Sequence, residues 1–152
     1  MNQQDYNAVI SVQASPKQVF DAFNSVSKWW TENLEGSSNH LDDVFTIRFG
    51  NTFATHKIIE FVPNERVVWL VTDCNLDWVK DKKEWQDTRV VCEISADAEH
   101  THLNFTHIGI RPGVECFEDC TLGWNGYIKG SLFKLITEGK GAPEKKELEV
   151  VG

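Results

Sequence analysis

The sequence predicts an α+β domain in which a long last helix lies across a curved antiparallel sheet. Three observations carry that expectation. One strand-like run precedes a short helical segment, a series of two-residue alternations fills the middle, and apolar residues recur at three and four from about 115 to 138. A stripe such as the last must be covered, and the sheet is the surface available to cover it.

The elements follow in order. Tyr6, Ala8, Ile10 and Val12 alternate as a half-buried strand does. Ser15, Pro16 and Gln18 read as a capping box with proline at the first helical position. Val19, Phe20, Phe23 and Val26 continue that helix into Lys28-Trp29-Trp30, and Gly36, Ser37, Ser38 and Asn39 form a loop. From residue 44 the period becomes two: Phe45, Ile47 and Phe49 share a face, closed by Gly50-Asn51.

TFATHKIIEFVPNERVVWLVTD then reads as two strands around Pro63-Asn64-Glu65-Arg66. Pairing Val62 with Val67 puts Ile58, Glu60, Trp69 and Val71 on one face and Ile59, Phe61, Val68 and Leu70 on the other. Residues 73–87 are charged and loop-like but hold Trp78 and Trp85. Thr88, Val90, Cys92 and Ile94 alternate, SADAEH turns, and Leu103, Phe105, His107 and Gly109 return, making a long hairpin. Pro112-Gly113 breaks it, and the helix carrying Phe117, Cys120, Trp124, Ile128, Ser131, Leu132 and Leu135 stops at Gly139 and Gly141. We expect one domain over 1–143 and a flexible tail over 144–152.

Composition narrows the function. The 152 residues are 41% hydrophobic and 25% charged, with no apolar run near the ~20 residues that would cross a bilayer, so no membrane insertion is expected. The amino terminus has neither the basic start nor the apolar stretch of a secretory signal, which leads us to expect a cytoplasmic protein. A net charge of -8, with Lys and Arg scattered apart from KDKK at 80–83, disfavours a nucleic-acid partner. Cys74, Cys92, Cys116 and Cys120 contain no CxxC pair, so reduced thiols and no structural metal are expected. No cofactor motif is present: there is no G-x-S-x-G, no H-E-x-x-H and no phosphate-cradling glycine loop, and Gly123, Gly126 and Gly130 fall away from the apolar stripe.

PNERVVW, the EW..T after it, L.FTH.GI.P..ECFEDC and GW..Y..GSLF.LITEGKG.P together resemble the START-like, helix-grip superfamily, and within it the branch named after the activator of the heat-shock-protein-90 ATPase. The resemblance runs from Ala14 to about Pro143. It implies a strongly curved antiparallel sheet wrapped around the carboxy-terminal helix, short helices after the first strand, and an apolar cavity between sheet and helix. It implies as well a hydrophobic small molecule as partner, such as a lipid, sterol or polyketide. A chaperone partner and a small cyclase or hydrolase are the alternatives, with the protein a monomer or weak homodimer.

The expected cavity lining consists of Trp30, Trp69, Trp78, Glu84, Trp85, Thr88, Phe105, His107, Trp124, Tyr127 and Ile128. Trp124 and Tyr127 lead it, because the face of the helix that the sheet grips is the cavity roof. Alternation puts His107 on the inner face with Leu103 and Phe105, where an imidazole needs a partner. Glu84, Thr88, Cys120 and Tyr127 are the candidates, and a His107–Glu84 couple would serve as the general base of the enzymatic alternative. His100 and His102 stand two apart on one strand face and could chelate a metal, but their place beside an exposed turn favours solvation.

Overall fold

A computed structural model describes residues 5–143. The proposed tail at 144–152 lies outside them. Seven antiparallel strands form one curved sheet in the order β1-β7-β6-β5-β4-β3-β2. In sequence these are β1 (Tyr6–Val12), β2 (Leu34–Gly36), β3 (Val44–Phe49), β4 (Thr52–Val62), β5 (Arg66–Asn75), β6 (Arg89–Ala96) and β7 (Thr101–Ile108). Two short helices, α1 (Pro16–Asn24) and α2 (Val26–Trp29), follow β1. The long helix after β7 is α3 (Phe117–Trp124), a π-helical segment (Asn125–Leu132) and α4 (Phe133–Glu138) in unbroken succession. This is the α+β helix-grip fold.

Local chemistry explains the boundaries. Ser15 Oγ accepts from Gln18 N at 3.1 Å while Gln18 Oε1 accepts from Ser15 N at 2.8 Å, so the capping box closes in both directions with Pro16 behind it. Gly139, at φ 80°, ends α4 in the left-handed conformation. Along β7, Thr101, Leu103, Phe105 and His107 are buried and their neighbours are not, which is the alternation a one-sided strand demands.

Two expectations need correction. β2 is a strand where the sequence suggested only a loop; three residues, LEG, are too few to show alternation. In the β4–β5 hairpin Val62 pairs with Arg66 and Phe61 with Val67, one step from the expected register, and bulges interrupt the ladder at Thr55/His56 and Ile58/Glu60. Ile58, Trp69 and Val71 do share the inner face, but the second bulge inverts the strand beyond it. Phe61 thereby turns inward and meets Phe20, ring centres 5.1 Å apart, while Glu60 is exposed.

The core between sheet and helices is unusually aromatic. Trp30 lies within 6.5 Å, centre to centre, of Trp29, Phe49, Trp69, Trp85, Trp124 and Tyr127. Helix and sheet meet through rings: Trp124 packs on Phe105 at 4.6 Å and on Trp85 at 5.9 Å.

Candidate functional site

Beneath the long helix, between α3, the π-helical segment and the β3–β4 end of the sheet, lies a cavity of about 190 Å³. Trp30, Trp85, Trp124 and Tyr127 wall it with Ile47, Phe49, Thr52, Ala54 and Leu76. Trp78, 47% exposed, and the exposed Asp119 stand at its outer end. Asp119 is the one charged side chain among the lining residues, and Cys120 and Gly123 complete the helix side.

Of the eleven residues expected to line it, Trp30, Trp78, Trp85, Trp124 and Tyr127 do so in this structure. The other six lie elsewhere. Trp69 and Phe105 are fully buried in the aromatic cluster behind the wall, and Ile128 packs in the core one turn beyond Trp124. The half-buried Thr88 and the fully buried His107 form a polar pair behind Trp85 and Trp124. Glu84 faces the start of the long helix.

His107 is held in a hydrogen-bond chain whose direction is fixed at every link. An indole nitrogen can only donate, so Trp124 Nε1–H donates to His107 Nδ1 at 3.1 Å. The imidazole proton is then on Nε2 and goes to Thr88 Oγ1 at 2.9 Å, and the Thr88 hydroxyl donates to the Trp85 carbonyl at 2.6 Å. Trp85 covers the ring edge-on at 4.7 Å. Burial, with His56 as a lesser influence, pushes the pKa of His107 down to about 3. The ring is neutral, saturated and screened from the cavity.

The expected His107–Glu84 couple is not formed. Glu84 caps the long helix instead, its two carboxylate oxygens accepting from Glu115 N at 2.8 Å and Cys116 N at 2.9 Å. Glu115 answers by accepting from Lys80 N and Asp81 N, so the 76–88 segment is stapled to the helix start. A carboxylate meets unpaired amides at a helix amino terminus more favourably than a neutral imidazole, which explains the different partner. His102 is engaged by Asp97 at 2.7 Å and by Ser11, and the described residues contain no cluster of three or more His, Cys, Asp or Glu that could hold a metal.

All four cysteines are free and buried. Cys120 Sγ accepts from Trp85 Nε1 at 3.3 Å and touches Cys116 Sγ; that contact, then burial, holds the Cys116 thiol well above its usual range.

The expected lining omitted Ile47, Phe49, Leu76, Asp119 and Cys120, as well as the small residues Thr52, Ala54 and Gly123, the last of which was placed away from the apolar stripe. For these three, smallness is the available signal. Opposite a face crowded with indoles, residues without bulk leave the space that becomes a cavity.

A curved sheet gripping a long helix over an apolar, aromatic-walled cavity defines a helix-grip protein of the START-like class. Residues 13–137 match the family described as activator of Hsp90 ATPase homolog 1-like protein, and the chain belongs to that family. Among solved structures, it is similar to the Aha1 dimer from Colwellia psychrerythraea, with 22% identity and a TM-score of 0.72 over 93% of this chain and 100% of that one. It is also similar to DynU16, a putative protein in the dynemicin biosynthetic locus, with 17% identity and a TM-score of 0.66 over 92% of this chain and 49% of that one. CalU16 from Micromonospora echinospora gives 18% identity and a TM-score of 0.63 over 90% and 75% of the respective chains. At these identities the likeness is one of fold. No curated protein matches the sequence.

Proposed function

We propose that this protein binds a small aromatic or hydrophobic molecule in the cavity beneath the long helix. The observation that carries the reading is the wall itself: Trp30, Trp85, Trp124, Tyr127 and Phe49 surround space that no side chain fills, with Trp78 at the mouth. Apolar voids of about 150 Å³ take up benzene-sized molecules, so about 190 Å³ suits a molecule of one or two rings. A sterol or a tetracyclic polyketide exceeds it, and most drug-sized sites span roughly 300–1,000 Å³. The catalytic alternative loses support, since both nitrogens of His107 are engaged and Glu84 is occupied at the helix start.

The test is a thermal-shift series with naphthalene-sized aromatics, alongside the cavity-filling variant Ala54→Leu. A ligand at 100 times its dissociation constant should stabilise the protein by about 2.7 kcal/mol. For a domain of this size that is a rise of roughly 5–10 °C. Ala54→Leu should abolish the response while leaving the unliganded melting temperature close to wild type. A panel with no hit, or an equal response in Ala54→Leu, would reject the reading.

Family membership favours a second reading, association with a chaperone of the Hsp90 type. Stimulation of a chaperone ATPase by the purified protein, unaffected by Ala54→Leu, would favour that role over ligand binding.

A further inference from the structure

Behind Trp30 the aromatic core contains polar atoms with nothing to bond. His56, 0% exposed, has no hydrogen-bond partner at either Nδ1 or Nε2 among the described residues, and Trp69 Nε1, also fully buried, has none. Burial pushes the His56 pKa down to about 3, while the nearby carbonyls of Ala54 and Phe45 pull weakly the other way without reaching hydrogen-bond geometry. Buried polar groups are almost always satisfied, and each exception calls for an explanation. The surrounding rings offer no more than weak contacts. Phe45 stacks on His56 at 4.8 Å, and Trp30 and Trp69 stand edge-on to it at 5.5 and 5.4 Å.

Trp30 is the partition between these atoms and the cavity. It lines the cavity and at the same time contacts both His56 and Trp69. Thr52, Ala54 and His56 are successive inward-facing residues of β4, and the first two line the cavity, so the strand leads from the open space to the unpaired imidazole. Trp30 sits at the end of the one-turn helix α2, a terminal position of the kind that absorbs a change of backbone angle.

We infer that the ligand site continues behind Trp30 to a polar end made by His56 and Trp69, and that it selects aromatic molecules bearing a hydroxyl group. The inference rests on the ligand-binding reading and adds the ligand's chemistry to it. One hydroxyl satisfies both groups: its oxygen accepts the Trp69 indole N–H and its hydrogen goes to the bare imidazole nitrogen. The remaining imidazole N–H turns to the Ala54 or Phe45 carbonyl. A carboxylate is disfavoured: it could accept from the Trp69 indole and the imidazole N–H, but it leaves the other imidazole nitrogen without a donor, and no cation lines the cavity to offset the burial of its charge.

The experiment compares 2-naphthol with 2-methylnaphthalene, which differ by hydroxyl for methyl, by calorimetry on wild type and on His56→Phe, a variant that keeps the stack on Phe45. Wild type should prefer 2-naphthol by about tenfold, the worth of one net hydrogen bond. His56→Phe should bring the two ligands to parity by weakening 2-naphthol alone. In wild type, the Trp69 indole N–H resonance should move downfield with 2-naphthol and not with the methyl analogue, a readout independent of whether the variant folds. Equal affinities in wild type, a preference that survives in His56→Phe, or an unmoved Trp69 resonance in a protein that binds 2-naphthol would overturn the inference and leave the cavity reading intact. Binding of neither compound would overturn both.

Discussion

Two imidazoles sit fully buried in this protein and differ in every link around them. His107 has a donor on one side and an acceptor on the other, whereas His56 has neither among the described residues. Both are held neutral, with pKa values pushed down to about 3 by burial. Their unfolded value is about 6.5, so the unfolded chain binds more protons between pH 6.5 and 3 and stability falls as pH drops through that window. At pH 5 each imidazole should cost about 2 kcal/mol relative to pH 7. Urea denaturation at the two pH values measures the sum, and His56→Phe should remove about half of it. The His107 position was legible in the alternation of β7. Of its two partners, Thr88 stood among the four candidates the sequence offered, whereas Trp124 did not, because it reaches the ring through tertiary packing that no spacing records. His56 escaped notice for a different reason: β4 and β5 are apolar on both faces, and the bulge after Ile58 scrambles the phase that would have marked the inner one.

At the scale of elements, the long helix holds the clearest discrepancy between what is present and what packing requires. Gly126 and Gly130 lie in the π-helical segment, and a Cβ on either would meet nothing within 4 Å. Glycine in a helix interior costs about 1 kcal/mol relative to alanine. Gly126→Ala and Gly130→Ala should therefore each stabilise the protein by up to about 1 kcal/mol, which a shift in denaturation midpoint at constant slope would register. A loss of stability would show instead that the π-helical turn depends on glycine. The helix itself was readable from recurrence at three and four, but its middle turn was not, since the residues buried across it, Trp124, Ile128, Ser131 and Leu132, keep those same spacings in the sequence. The start of the helix teaches the same lesson. Cys116 caps it without a side-chain bond, and the cap comes from Glu84, 32 residues earlier in the chain.

Across the whole molecule, the order of alternating and helical segments was enough to give the architecture, because each amphipathic face has one surface able to cover it. The cavity was only half legible, since it depends on where small side chains stand opposite large ones. Five of the six tryptophans meet in one cluster: Trp29, Trp69, Trp85 and Trp124 each approach Trp30 to between 4.7 and 6.4 Å, and Trp78 stands apart at the cavity mouth. Chromophores that close share their excited states. Light absorbed by any of the five should migrate before it is emitted, and their coupled transitions should give strong, signed bands in near-ultraviolet circular dichroism. Trp30→Phe should collapse that spectrum far beyond the loss of one residue in five, whereas Trp78→Phe should leave it nearly unchanged; similar spectra for the two variants would mean that the rings do not couple. The hub of the aromatic core is thus an optical antenna, and a molecule that displaces Trp30 would report its own arrival in the protein's intrinsic spectrum, with no label attached.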